Sequence, residues 1–114
     1  MRYLLLIHDV EADFAKMPPA EMDQLMGDYR KFSEQLKQAG AYVTGQRLRP
    51  TTTATTIRVR NGETLATDGP FAETKEQLGG FYLIQAADLD EAMAWAAKIP
   101  SAKIGSIEVR PIWE

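Results

Sequence analysis

Two short runs in this chain, Tyr3-Leu4-Leu5-Leu6-Ile7 and Phe81-Tyr82-Leu83-Ile84, are apolar along their whole length. Successive side chains of a strand point to opposite faces, so each run offers apolar groups to both sides of a sheet. Runs this short suit strands buried on both faces better than helices. Both therefore belong in the middle of a sheet, and both faces of that sheet need cover.

The segments between these runs supply cover for one face. Asp9 to Pro19 is polar with prolines and reads as a loop whose end starts a helix. Met22, Leu25, Met26, Tyr29, Phe32 and Leu36 then recur at helical spacing, with Lys37 in the last turn and Gly40 as the stop. Ala41 to Gly45 reads as a short strand. Asp88 and Glu91 form a capping pair for a second helix with Leu89, Ala92, Met93 and Ala96 on its apolar face, ended by Pro100. Ile107 to Arg110 alternates apolar and charged residues as a last strand, stopped by Pro111.

One insertion interrupts this pattern. Thr51 to Arg60 is rich in threonine and β-branched residues, Asn61-Gly62 is a strong hairpin signal, and Glu63 to Thr67 is the return strand. The resulting order predicts an α+β protein with a ferredoxin-like β-α-β-(hairpin)-β-α-β arrangement, an antiparallel sheet and both helices on one face. The other face requires a partner, and a second copy of the same face is the simplest one, so a homodimer is expected.

The bulk properties narrow the function classes. A chain of 114 residues suits one domain, residues 1–114. The net charge of −3 leaves no broad basic face, which argues against nucleic acid as a partner. With no cysteine and one histidine, thiolate and histidine-cluster metal sites within one chain are excluded. The apolar start ends at Ile7, too short for a signal peptide core or a membrane span, so a soluble cytoplasmic protein is expected, with no cofactor anchor in view.

The densest set of special-purpose residues runs from Thr67 to Phe81, beginning Thr67-Asp68-Gly69-Pro70-Phe71 and closing on Gly79-Gly80. A conformationally restricted polar loop feeding a buried strand is a common place for a site. Asp68 can serve as a general acid or base, or can cap its own turn. His8 can carry a proton near neutral pH, or make one structural hydrogen bond at a strand end. Arg47 can hold an anion bidentately. Gly69, Pro70 and Phe71 complete the candidate ligand-binding set with Asp68 and Arg47.

The stretch from Thr67 to Glu76, together with Gly79-Gly80-Phe81-Tyr82, Glu108-Val109-Arg110-Pro111 and the opening Arg2 to Ile7, resembles the DGPF branch of the YCII-related domain family. The resemblance covers essentially the whole chain. It implies a ferredoxin-like fold that dimerises sheet to sheet as a dimeric α/β barrel, in a bacterial cytoplasmic protein of poorly defined role. It also implies a regulatory setting, since some relatives are associated with extracytoplasmic-function sigma factors. A paired His and Asp in a cleft is the basis on which an enzymatic role was proposed for the parent group. Relatives place a His or basic residue before the glycine preceding the last strand. Here that region reads Lys103-Ile104-Gly105, and His8 is the one imidazole available.

Two functions from different classes follow. One is a homodimer that binds a small polar molecule near Asp68 to Phe71, in a sigma-factor-linked setting. The other is an enzyme of the dimeric barrel type, with Asp68 and His8 moving protons. A protein-interaction module for a transcription factor is the third. His8 and Asp68 within hydrogen-bond reach in a concave pocket would favour the enzyme.

Overall fold

β1 (Arg2–Asp9) lies at the centre of the molecule, in a computed structural model that describes residues Met1–Glu114. It pairs antiparallel with β5 (Gln77–Gln85) on one side and β6 (Ser106–Pro111) on the other. β2 (Tyr42–Arg47) adds to the far side of β5, giving the strand order β2-β5-β1-β6. The two all-apolar runs thus lie in the two central strands, where doubly apolar strands belong.

α2 (Pro19–Gln38) and α3 (Leu89–Lys98) cover one sheet face. The core joins Tyr3, Leu5 and Ile7 of β1 and Tyr82 and Ile84 of β5 to Phe32 and Leu36 of α2. Ala92, Ala96 and Ile99 close it from the α3 side. Phe32 is the hub, meeting the Tyr82 ring edge-on at 5.2 Å and Trp95 at 6.2 Å. The strand alternation follows: Leu4, Leu6, Phe81 and Leu83 point to the other face and stay half-buried with no layer over them. No helix is long and apolar enough to cross a membrane.

The insertion forms a separate two-stranded sheet, β3 (Thr55–Arg60) and β4 (Glu63–Asp68). Asn61 and Gly62 adopt positive φ, 52° and 78°, as the two-residue turn requires. Every residue of β4 is exposed. This arm flattens the molecule to 48 × 42 × 19 Å and raises its radius of gyration to 16.0 Å, against about 13 Å for a compact chain of this length.

Several expectations need correction. The loop after Asp9 contains a one-turn helix, α1 (Glu11–Ala15), with acidic Glu11 and Asp13 at its positive end. β1 continues through His8 to Asp9, and β5 begins at Gln77, so Gly79 and Gly80 lie within a strand. β2 likewise runs on to Arg47. In α3, Leu89 and Met93 are exposed, and Ala92, Ala96 and half-buried Trp95 face the core instead, because the small alanines let the helix approach the sheet. The capping pair is present: Asp88 accepts from the Glu91 N–H at 2.9 Å, while the Glu91 carboxylate accepts from the Ala87 N–H at 3.1 Å. Gly69 takes φ 104°, a backbone region that favours glycine. Its N–H donates to Ala54 O at 2.7 Å and its carbonyl accepts from the Thr56 hydroxyl, which together fix that turn.

Candidate functional site

The inward positions of β1 are Tyr3, Leu5, Ile7 and then Asp9. The alternation that buries three apolar side chains therefore carries a carboxylate onto the same face at the strand's end. Asp9 is 8% exposed, and its carboxylate has no hydrogen-bond partner. It lines a cavity of about 210 Å³ between the helices and the open end of the sheet.

Local backbone geometry makes room for it. The β1–β5 register slips between Ile7 and His8, which pair with Gly80 and Leu78, so Gly79 is the unpaired extra residue of a bulge. A β-carbon at Gly79 would press on the Asp9 carboxylate, and one at Gly105 would run into the His8 carbonyl oxygen and the Asp9 side chain. Bare backbone on both sides is what allows Asp9 to occupy this position.

The remaining walls are largely apolar, from residues such as Ile7, Phe14 and Met26, with hydroxyl groups set among them in a specific pattern. The Tyr29 hydroxyl donates to Ser101 Oγ at 2.6 Å, and Ser33 and Tyr82 share a hydroxyl hydrogen bond at 2.8 Å. These pairs tie α2 to β5 and to the turn at Pro100–Lys103, and they line the cavity. Arg47, opposite Gly80 in the β2–β5 register, closes the cavity from the edge strand. Its guanidinium is exposed, and its one hydrogen bond is a weak donation to Met26 Sδ at 3.9 Å. It pairs with no carboxylate, since the ion pairs of the chain are Arg2 with Glu114 and Arg110 with Glu108.

Electrostatics follow from this layout. Burial pushes the Asp9 carboxyl above its ordinary pKa; Glu11 and Glu76 push the same way, while His8 and Arg47 oppose. Burial also raises the Tyr29 hydroxyl, against its bond to Ser101 and with the Asp9 charge adding to the rise. Tyr82 is raised by burial as well, opposed by Ser33. The site thus combines a carboxyl able to hold or give a proton, neutral phenolic hydroxyls, and a free guanidinium that can take an anion.

The residues singled out from the sequence lie in different places. Arg47 lines the cavity. His8 neighbours Asp9 in sequence but points to the opposite sheet face. Asp68 ends β4, exposed, and its carboxylate accepts no hydrogen bond. Phe71 is 79% exposed, with Arg58 over its ring at 5.7 Å. None of Asp68, Gly69, Pro70 and Phe71 lines the cavity, and His8 and Asp68 are joined by neither a hydrogen bond nor an ion pair. No three His, Asp or Glu side chains converge as a metal cage needs. Asp9 went unread because the apolar run stops at Ile7. Its signal was the period-two pattern continued one step further.

The YCII-related domain model matches residues 1–114. This chain belongs to the YCII-related domain family. An uncharacterized protein of Rhizobium meliloti (strain 1021) is 43% identical over 114 residues, spanning 98% of this chain and 92% of that protein. Among solved structures, the 5-chloro-2-hydroxyhydroquinone dehydrochlorinase of Burkholderia phenoliruptrix AC1100, in complex with 2,5-dihydroxybenzoquinone, superposes with a TM-score of 0.50. It is 18% identical, and the match covers 100% of this chain and 94% of that one. At that identity the likeness establishes a shared YCII-like fold.

Proposed function

We propose that this YCII-related protein binds a small polar molecule of about single-ring size between Asp9 and Arg47, and that Asp9 exchanges a proton with it. One observation carries the reading: Asp9 is a largely buried residue whose carboxylate opens into the cavity, has no hydrogen-bond partner within the chain and has its pKa raised by burial, the combination that suits proton exchange with a ligand. The proton-moving role sought for Asp68 and His8 is assigned to Asp9. Arg47 takes the ligand's negative oxygen, and the Tyr29 and Tyr82 hydroxyls orient the ring. The fold neighbour is a dehydrochlorinase, and loss of hydrogen chloride entails moving a proton, which supports this choice of chemistry.

Within the family, the Asp68 to Phe71 motif supports placement in the DGPF branch. The assembly we propose is a homodimer through the face of Leu4, Leu6, Phe81 and Leu83. Only 15 of 114 residues are buried in the single chain and this apolar face has no layer over it, which supports a second copy as its cover.

The test is a panel of phenols, hydroxyquinones (2,5-dihydroxybenzoquinone among them) and small carboxylic acids, read by melting shift and then calorimetry. A compound that binds the wild type should bind Asp9→Asn and Arg47→Leu roughly ten- to a hundredfold more weakly, as expected for losing a charged partner. Calorimetry in buffers of different ionisation enthalpy should show proton exchange that Asp9→Asn abolishes. Undiminished binding to Asp9→Asn would overturn the reading. Spectral change of the bound compound identifies turnover; binding without it fits the sigma-factor-linked regulatory role that the DGPF resemblance implies.

A further inference from the structure

Glu11 holds together three segments that lie far apart in the chain. It opens α1, two residues beyond Asp9. Its backbone N–H donates to Gln77 Oε1 at 3.0 Å. Its carboxylate accepts from the Thr51 N–H and from the Thr51 hydroxyl, each at 2.7 Å. Thr51 opens the stem that enters β3, and Gln77 closes the stem that returns from β4. The Gln77 amide also donates to Thr74 O at 2.6 Å, which carries the same network into the returning loop. One residue therefore clasps both stems of the hairpin arm. The helix it begins places Phe14 in the cavity wall.

We propose that Glu11 is the positioning residue of the Asp9 site, seating the hairpin stems against α1 and presenting a like charge to Asp9. The proposal rests on the reading of Asp9 as the proton-exchanging group. Two donors on one carboxylate give a charge-assisted pair stronger than neutral bonds would be. Glu11 lies two residues along the chain from Asp9, and its negative charge adds to burial in disfavouring the ionised form of Asp9. Glu76, from the loop before β5, acts in the same sense; His8 on β1 and Arg47 on β2 act against it, and Tyr29 of α2 faces Asp9 uncharged. Among these, Glu11 alone also fixes the hairpin, so the seating of the arm and part of the upward push on Asp9 meet in one side chain.

The test needs no ligand. Glu11→Gln keeps the length and one acceptor but removes the charge, and Glu11→Ala removes both. Carbon-13 titration of the Asp9 carboxyl should give a lower midpoint in both variants than in the wild type. Hydrogen exchange should show the Thr51 amide of Glu11→Ala opening about tenfold faster or more, with β3 and β4 losing protection while β1 and β5 keep it. Thr51→Val loses a donor but leaves the Glu11 charge, so it should loosen the stem without lowering the Asp9 midpoint. An unmoved midpoint in Glu11→Gln, or hairpin amides indifferent to Glu11→Ala, overturns the proposal. Neither readout involves the compound panel, so this inference and the reading of Asp9 can fail separately.

Discussion

Gly79 sits so close to Asp9 that a β-carbon there would stand 3.3 Å from Oδ1. That separation is tight for carbon against oxygen, and the carboxylate has no hydrogen bond to hold it in place. Gly79→Ala should therefore turn Asp9 aside while the sheet remains formed, at a cost of about 1 kcal/mol. Affinity for the compound selected by the panel should fall about tenfold. A variant that melts near the wild type yet binds as well would mean that the orientation of Asp9 is unimportant.

The raised pKa of Asp9 fixes the sign of a pH effect. An unfolded Asp titrates near ~3.9. Between that value and the raised native one, the folded chain binds more protons than the unfolded chain, so the contribution of Asp9 to stability falls as pH rises through this window. The contribution is fully present below the unfolded pKa and lost above the native one. Asp9→Asn should consequently melt higher than the wild type at neutral pH, with the gap closing on acidification. Parallel melts from about pH 4 to about pH 8 would show this; coincident curves across that range would contradict it.

Leu6 stands on the uncovered sheet face, half-buried between Phe81 of β5 and Glu108 of β6 in the antiparallel register. Placing a charge there should abolish the proposed homodimer. Light scattering of the wild type at micromolar concentration should give twice the chain mass, and Leu6→Glu should give monomer or insoluble protein. A wild-type monomer under those conditions would remove the assembly from the account.

Gly62 occupies φ 78° with open space where a β-carbon would go. Its replacement therefore tests backbone preference with little steric interference. Gly62→Val should destabilise the hairpin by about 1–2 kcal/mol or more, since β-branched residues resist positive φ. Hydrogen exchange should confine the loss of protection to β3 and β4, because their sheet shares no strand with the main one.

The architecture was legible in the sequence because its signals are periodic. Two doubly apolar runs, a helical stripe from Met22 to Leu36 and Asn61-Gly62 each satisfy a repeat or a dihedral requirement that stands in the residues themselves. Of the residues singled out from the sequence, Arg47 lines the cavity. A carboxylate closing an apolar run, as Asp9 does, reads as the start of a loop, and the room it occupies is left by Gly79 and Gly105, far away in the chain. The same holds for Glu11: its partners at Thr51 and Gln77 are brought near by tertiary structure alone. The Asp68 to Phe71 motif drew attention through its composition, which reports turn geometry as readily as chemistry.

The strand order has a consequence for how the chain acquires its structure. β1 finds its neighbours only in β5 and β6, and β2 finds its own only in β5. No strand formed before Gln77 can pair with another except β3 with β4. A growing or collapsing chain thus closes its peripheral arm early, within microseconds typical of a hairpin, while the centre of the sheet waits for the last third of the sequence. During that interval the apolar strand at Tyr3 to Ile7 has both edges unpaired, so the N-terminal segment is the part of the unfinished chain most open to edge-to-edge association.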